Sequence, residues 1–367
     1  ILYNPYFMRT KLLMATAISL CLASCSDNGG AIDVPNTPLP EPEEVTITIN
    51  HDNIRLAVGE TVPIDFSVEP EDAPLEWNSS DSRIATVDGN GNVTAIARGS
   101  VSVTASSGTA KTSVPVIVER AVAVGDYYYS DGTTSNAIIS SKTLLGVVFW
   151  LGNATTDDAA LRRDHPECTH GLVVAAFSEL NPSPWQSTCN IYNSTTGSWV
   201  ENNVGDLYQS PVSLYQRDTR RSMTLGYNNT KALEAFNAAN PSYPVEAIQA
   251  VEAYRIRYPA PASSSGWFLP STKELSLLIN DIYDGEVLDF NNAAQNKRCI
   301  NKAKINAALS KVPDAQLIGR ADWAYDFWTS TDYDAKQAYF VSAFDGSIMC
   351  VAKDGRHNQM IRCVLAF

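Results

Sequence analysis

The sequence predicts a multidomain chain in which an all-β sandwich precedes an α+β domain. Three observations indicate this organisation. Short runs rich in Val, Ile and Thr alternate with turn residues over residues 45–119. Helical periodicity appears only later in the chain, and strand-like runs return near the C-terminus. With 367 residues, the chain is also long enough for about two or three domains of ordinary size.

The N-terminal segment has the layout of an export signal. Arg9 and Lys11 precede an apolar stretch over residues 12–20, and small residues then lead to Cys25. This stretch is shorter than the ~20 apolar residues that a membrane-spanning helix needs. The motif Leu-Ala-Ser-Cys that ends at Cys25 resembles the lipobox of bacterial lipoproteins. The resemblance implies that residues 1–25 are a lipoprotein signal peptide and that Cys25 is lipidated.

A lipid on Cys25 predicts attachment to the outer membrane. We expect the protein to face the cell surface, and the alternative is the periplasmic face. Residues 26–44 are rich in Pro, Gly and acidic residues and poor in apolar ones, so we expect a flexible linker between the anchor and the first domain.

The overall charge excludes one class of partner. The formal net charge is −13, and a strongly acidic surface repels phosphate backbones. We therefore expect no nucleic-acid partner. The sequence contains no phosphate-binding loop and no His-Glu-x-x-His or Gly-x-Ser-x-Gly motif, so we predict no cofactor.

An ordered set of short motifs characterises the first domain. Val58-Gly59-Glu60 is followed by Trp77-Asn78-Ser79-Ser80-Asp81 and Ala85-Thr86-Val87-Asp88, and then by Gly91 and Gly99. This series resembles the group 2 bacterial Ig-like domain of surface adhesins. The resemblance implies a stalk module over residues 45–119. We expect Trp77 to be a core residue in a middle strand rather than a ligand platform.

The remaining residues, 120–367, alternate between strand and helix patterns. Strand-like runs come first, helical patterns follow in the middle, and the clearest helix begins at a capping box formed by Ser271 and Glu274. The predicted helices cover residues 230–240, 244–254, a stretch that begins at about 271, and 301–312. The strands that return at the end should share a sheet with the first ones, as in an α+β domain.

Several motifs of this second domain follow a known order. They are Tyr128–Thr133, Gly146–Phe149, His170–Leu172, Gly226–Thr230, Gly266–Ser271 with Glu274-Leu275, Phe327–Thr331 and Arg362–Val364. The set resembles the C-terminal domain of collagen-like bacterial adhesins, a branch of the C-type-lectin-like and formylglycine-generating-enzyme superfamily. The resemblance implies a C-type-lectin-like fold over residues 120–367. Trp267 and Trp328 lie in apolar context, so we expect them to pack inside the fold.

The resemblance also implies where a ligand binds, namely the long segment after the capped helix, residues 284–326, and the loops that join the final strands. In it, a short run combines aromatic and charged side chains: Arg320, Asp322, Trp323, Tyr325 and Asp326. An exposed aromatic ring covers the apolar face of a sugar while charged groups bond its hydroxyls. The alternative is that Trp323 anchors the loop into the core.

Three other groups of side chains are weaker candidates. A zinc site could be formed by His165, Cys168 and His170. A calcium site could be formed by Asp332, Asp334 and Asp345. A basic patch for sulfated glycans could be formed by Arg162, Arg163, Arg217, Arg220 and Arg221. The first group is too crowded for a standard zinc site, and the calcium-binding motifs of lectins are missing. Short basic runs are usually solvated. We therefore predict no metal.

Five cysteines follow the signal: Cys168, Cys189, Cys299, Cys350 and Cys363. An exported location permits disulfides, and the odd count leaves at least one thiol unpaired. Cys350 and Cys363 lie in two strands expected to be neighbours, which makes them a candidate disulfide. An enzyme of the resembled superfamily needs a closely spaced reactive cysteine pair. Cys350 and Cys363 are separated by a predicted hairpin and do not form such a pair, so we predict that the protein is not an enzyme.

These observations predict a non-catalytic adhesin or glycan-binding lipoprotein. An Ig-like stalk would present a lectin-like head to an extracellular glycan or a surface protein. The alternative is a structural or tip subunit of a surface assembly that recognises protein. An enzyme of the formylglycine-generating superfamily is the third and weakest hypothesis.

Overall fold

The structure is a computed structural model that describes residues 44–178, 182–214, 219–280, 299–319, 326–344 and 346–367. The described residues form two units that share no sheet. The first unit, the Ig-like module, ends with the strand that finishes at Glu119, and the second unit, the head, follows it.

The Ig-like module is built from strands. They are β1 (Thr46–Ile49), β2 (Ile54–Ala57), β3 (Thr61–Pro63), β4 (Phe66–Glu69), β5 (Glu76–Ser79), β6 (Ala85–Val87), β7 (Asn92–Ala95), β8 (Gly99–Ser107) and β9 (Ala110–Glu119). The sheets have the orders β2-β9-β8-β5, β3-β7-β6 and β1-β4. Strand β2 runs parallel to β9, and the other pairs are antiparallel.

The core of the module follows from the alternation in the sequence. In β8, Val101 and Val103 point inward while Ser102 between them is exposed, and in β9 Val114 and Val116 point inward on either side of the exposed Pro115. A period of two places one apolar row on one face of a sheet. The predicted all-β sandwich with Ig-like sheets is therefore present.

Trp77 packs as expected but occupies an unexpected strand. Its ring meets the ring of Phe66 edge-on at 5.1 Å, against the core of the module. A Cβ added to Gly91, which has φ +80°, would lie 3.0 Å from the Trp77 ring, so both the backbone angle and the close approach favour glycine there. Among the strands that the structure describes, β5 pairs with β8 alone and lies at the edge of its sheet, so the expectation of a middle strand was wrong.

The head combines two sheets with helices. Its strands are β10 (Tyr127–Tyr129), β11 (Thr134–Ser135), β12 (Leu144–Leu151), β13 (Gly171–Ala175), β14 (Phe327–Asp332), β15 (Gln337–Val341), β16 (Ile348–Ala352) and β17 (Val364–Ala366). Its helices are α1 (Ala159–Asp164), α2 (Cys189–Tyr192), α3 (Thr196–Asn203), α4 (Gly226–Ala239), α5 (Glu246–Arg257), α6 (Thr272–Asn280) and α7 (Ile300–Leu309). Single 3₁₀ turns cover Ala154–Thr156 and Thr219–Ser222.

One sheet of the head has the order β11-β10-β12-β13-β17, and the other has the order β14-β15-β16. The last strand, β17, pairs antiparallel with β13, with Val173 opposite Leu365. The expectation that the returning strands share a sheet with the first ones therefore holds for β17, whereas β14, β15 and β16 form a sheet of their own.

The five-stranded sheet is buried on both faces. Val147 and Val174 belong to one apolar core, while Val148 and Val173 belong to the other. A sheet covered on both faces needs continuous apolar runs rather than alternation. This explains the uninterrupted sequences of β12 and β13, whose apolar residues point to both sides.

The capping box predicted at the start of α6 is confirmed. The Ser271 backbone N–H donates to the Glu274 carboxylate at 2.7 Å, and the Glu274 N–H faces the Ser271 hydroxyl at 3.4 Å. The four predicted helices correspond to α4, α5, α6 and α7, with ends displaced by a few residues. Helices α1, α2 and α3 were not predicted.

Cys350 and Cys363 are not neighbours in the fold. Cys350 lies in β16 of the three-stranded sheet, whereas Cys363 directly precedes β17 of the five-stranded sheet. The five cysteines that the structure describes all carry free thiols. The expectation that the two strands are adjacent was wrong, because β16 pairs with β15 in one sheet, whereas β17 pairs with β13 in the other.

Candidate functional site

Most of the predicted ligand loop lies outside the described residues. This applies to Arg320, Asp322, Trp323 and Tyr325. Asp326 is described: it is half-buried next to the start of β14, and its backbone carbonyl accepts a hydrogen bond from the Met360 N–H at 2.9 Å. Ligand binding by this loop therefore stays a prediction.

The tryptophans of the head motifs form the framework. Trp267, Trp328 and Trp185 are all fully buried. Each indole N–H donates to a backbone carbonyl, at 2.8 Å to Tyr258, 2.7 Å to Ser183 and 2.9 Å to Thr329 respectively. A buried indole needs such a partner, and these bonds tie loops to the sheets. The expectation that Trp267 and Trp328 pack inside the fold is confirmed.

The histidine and cysteine cluster does not converge. His165 packs edge-on against the Tyr227 ring, His170 stacks on Phe367, and Cys168 is buried in the core. Burial raises the pKa of the Cys168 thiol to about 11. Within the described parts of the chain, no group of His, Cys, Asp or Glu is arranged to hold a metal ion.

The aspartates considered for a calcium site have different structural roles. Asp332 is fully buried and forms an ion pair with Lys353 at 2.7 Å. Asp334 accepts the backbone N–H groups of Lys336 and Gln337, each at 2.7 Å, and so shapes the turn between β14 and β15. Asp345 lies outside the described residues.

The basic residues considered for sulfated glycans have different surroundings. Arg163 pairs with Asp164 at 2.7 Å, and Arg162 donates to the carbonyl of Thr155. Arg221 is buried and donates to the Tyr339 hydroxyl at 3.2 Å, with its guanidinium over the same ring. Arg220 lies on the 3₁₀ turn, and Arg217 lies outside the described residues. Of the four arginines that the structure describes, Arg221 is buried, so these four do not form one exposed patch.

The thiols of the final strands lack the surroundings of reactive cysteines. Cys363 is buried, and burial raises the pKa of its thiol to about 12. Burial also raises the pKa of Cys350. A nucleophilic cysteine needs a lowered pKa so that the thiolate is populated near neutral pH.

Two buried carboxylates hold together the starts of three helices. Asp158 caps α1 by accepting the Leu161 N–H at 2.8 Å, and it also accepts the Asn228 N–H of α4 at 2.8 Å. Glu274 of α6 accepts the Gly226 N–H of α4 at 3.3 Å. Burial raises the pKa of Asp158 to about 6 and that of Glu274 to about 8.

A polar cleft of about 500 Å³ opens beside the C-terminal end of α3. We call it the α3 cleft. Its lining residues come from the end of α3, the loop that follows it and the 3₁₀ turn: Glu201, Asn202, Asn203, Asp206, Tyr208 and Arg220, among others. The sequence does not reveal this surface, because polar residues at a helix end and in the loop that follows carry no motif. The one available signal was Thr195, a capping residue ahead of α3.

Comparison with known protein families identifies the first unit. The model of the bacterial Ig-like domain (group 2) matches residues 44–118. These residues form a bacterial Ig-like domain.

A relative extends beyond that module. The chain is 28% identical over 241 residues to a candidate fimbrium tip subunit, Fim1C of Bacteroides ovatus, which corresponds to 60% of this chain and 40% of Fim1C. The chain therefore spans less than half the length of this relative. It is also 38% identical over 85 residues to a lacto-N-biosidase of Bifidobacterium bifidum, but this covers only 21% of the chain and 8% of the enzyme.

The fold has a solved counterpart. The structure of a fimbrial protein from Bacteroides ovatus matches 88% of this chain and 70% of its own, with a TM-score of 0.53 and 19% identity. At this identity the likeness concerns the fold alone. A C-type-lectin-like assignment of the head does not follow from it.

In the described ranges, no helix combines the length and the hydropathy that a membrane span requires.

Proposed function

We propose that the chain is a non-catalytic subunit of a fimbrial assembly on the cell surface, located at or near the tip, where its head recognises an extracellular partner. The similarity to Fim1C carries this proposal, because 241 aligned residues extend well beyond the Ig-like module. The fold shared with a fimbrial protein over 88% of the chain supports it. Of the sequence-based hypotheses, this favours the surface-assembly subunit over an independent lectin.

In this proposal the two units have separate tasks. The Ig-like module serves as a spacer, and the head presents the recognition surface. The raised thiol pKa values in the final strands support a role without covalent catalysis. A C-type-lectin-like architecture of the head remains part of the proposal, since its strands enclose a helical middle as the resemblance implies.

Lipid attachment at Cys25 to the outer membrane is a further part of the proposal. Its support is the sequence before Cys25, with a basic start, an apolar stretch and small residues. Metabolic labelling with an alkyne fatty acid tests it. Cys25→Ala should abolish labelling, whereas Cys21→Ala, a matched change four residues upstream, should keep it. Labelling that persists in Cys25→Ala would contradict lipidation at this residue.

Immunogold electron microscopy of the native bacterium tests the assembly role. Antibodies against the head should label one end of surface fibres. Labelling along the whole shaft would contradict the tip position. Labelling of the cell surface without any label on isolated fibres would contradict membership of the assembly.

A further inference from the structure

We propose that the α3 cleft is a binding site for an uncharged sugar unit, with hydrogen-bond acceptors of the cleft directed at its hydroxyl groups. This rests on the proposed function in one respect, namely that the head is the unit that recognises a ligand. The cleft volume of about 500 Å³ lies within the range of small-ligand sites and suits one or two sugar rings.

The first support is the orientation of two neighbouring amides. The Asn202 Nδ2 donates to the Ser198 carbonyl at 2.7 Å, and the Asn203 Nδ2 donates to the Trp199 carbonyl at 2.7 Å. Each bond fixes a side chain by its donor end, which leaves the amide oxygen as an acceptor. The described residues supply no hydrogen bond to either amide oxygen. Sugar hydroxyls are donors of the kind that such oxygens accept.

The second support is the charge of the lining. Glu201 and Asp206 add two carboxylates to the described lining and Arg220 adds one guanidinium, so that negative charge prevails there, and the chain as a whole carries a net charge of −13. Carboxylates accept hydrogen bonds from hydroxyls but repel sulfated or sialylated ligands. The cleft is therefore suited to neutral sugars.

The third support is a preformed loop. Asn228 of α4 is buried, and its side chain brackets Gln209: Oδ1 accepts the Gln209 N–H at 2.9 Å, and Nδ2 donates to the Gln209 carbonyl at 3.0 Å. On the other side, the Arg163 guanidinium donates to the Leu207 carbonyl at 3.0 Å. A loop that is fixed before binding loses less entropy when a ligand arrives.

An aromatic ring completes the site. Tyr208 is half-buried in the lining, and the Arg163 guanidinium lies 5.4 Å from the centroid of its ring. This contact holds the ring in place. A fixed aromatic ring offers apolar surface to the C–H groups of a sugar, while the surrounding acceptors bond its hydroxyls.

Binding of defined sugars to the full-length chain tests the proposal. The probes are lactose, N-acetyllactosamine, maltose and cellobiose, with sialyllactose as the anionic counterpart, measured by saturation-transfer NMR and calorimetry. We expect at least one neutral disaccharide to bind and sialyllactose to bind more weakly than lactose. Failure of all four neutral disaccharides to bind would overturn the proposal, and so would a preference for sialyllactose.

Matched variants locate the site. Asn203→Ala removes an acceptor of the cleft and should weaken binding about tenfold, the effect of about one lost hydrogen bond. Asn240→Ala is the control, because Asn240 makes the same type of bond to a carbonyl one turn back, Phe236, outside the cleft lining. Equal affinity of the Asn203→Ala variant and the unaltered protein would overturn the assignment. Circular dichroism checks that both variants are folded.

These measurements do not depend on assembly. A protein that binds a neutral sugar in solution but is missing from fibres would refute the fimbrial role alone. A protein at the fibre tip that binds none of the neutral sugars would refute the sugar site alone.

Discussion

Replacing Lys353 by methionine is expected to destabilise the head by about 3–5 kcal/mol, because it leaves a buried carboxylate without its counter-charge. The Lys353 ammonium lies 2.7 Å from the Asp332 carboxylate, and both side chains are 0% exposed. The contact is an ion pair rather than an aligned hydrogen bond. The ammonium also lies 4.6 Å from the centroid of the Trp185 ring, and Thr196 donates to the second Asp332 oxygen at 2.7 Å.

The double replacement Lys353→Met with Asp332→Leu separates the interaction energy of the ion pair from the cost of burying an unpaired charge. Apolar groups of similar volume replace buried ion pairs at little cost, and here only the Thr196 hydroxyl loses its partner, at about 1–3 kcal/mol. The double variant should therefore be more stable than Lys353→Met alone. If the destabilisation of the double variant equals the sum of the destabilisations of the two single variants, this reasoning is refuted.

Thermal unfolding followed by tryptophan fluorescence measures the effect, since Trp185 adjoins the ammonium. A loss of about 3–5 kcal/mol corresponds to a decrease in Tm of about 10 °C for a domain of this size. The control is Lys231→Met, which breaks the part-buried Lys231–Glu234 pair of α4, also at 2.7 Å, and leaves Glu234 paired with Arg255. That pair should contribute only about 0.5 kcal/mol. A Lys353→Met effect as small as the control would show that the buried pair is unimportant.

Three further predictions concern helix junctions and thiols. Burial raises the pKa of Glu274 from its ordinary 4.5 to about 8, so the folded protein retains a proton that the unfolded chain releases. The contribution of this group to the stability of the fold is therefore complete below about pH 4.5 and is lost as pH rises through about 8. Glu274→Gln should flatten this decline in urea denaturation at pH 5, 6.5 and 8; an unchanged pH slope would contradict it. Gly226→Ala should cost about 1–3 kcal/mol in the same assay, since its Cβ would lie 2.1 Å from Glu274; wild-type stability would contradict the packing. In peptide mapping of the native protein, iodoacetamide should modify the half-buried Cys350 before the buried Cys363, and a disulfide-linked peptide containing both would refute their separation.

Periodicity and end signals made much of the fold predictable. The alternating runs of the Ig-like module specify which face of each strand is buried, and the Ser271–Glu274 box marks the start of α6 because the two groups satisfy each other's N–H bonds. The sequence does not specify which strand ends at an edge. Partner choice depends on long-range packing, as β5 with Trp77 illustrates.

The elements that were missed are short. Helix α1 has only six residues, so its apolar spacing is too brief to show a period, although Asp158 is a good capping residue. The α3 cleft was missed because part of its lining is positioned over a long range: Asn228, which lies on a different helix, holds the backbone of Gln209. The cysteine prediction failed because nearness along the chain does not decide which sheet a strand joins.

The entry of the chain into the head has a mechanical consequence. Asp126, which is 3% exposed, pairs with the Arg120 guanidinium and also accepts the Ala123 N–H at 2.8 Å. Strand β10 begins at the next residue and is hydrogen-bonded on both sides, to β11 and β12. A pull on the chain from the preceding module would therefore meet this clamp first and then the pairings of β10 with both of its neighbours, so that the load is shared before it reaches the rest of the head.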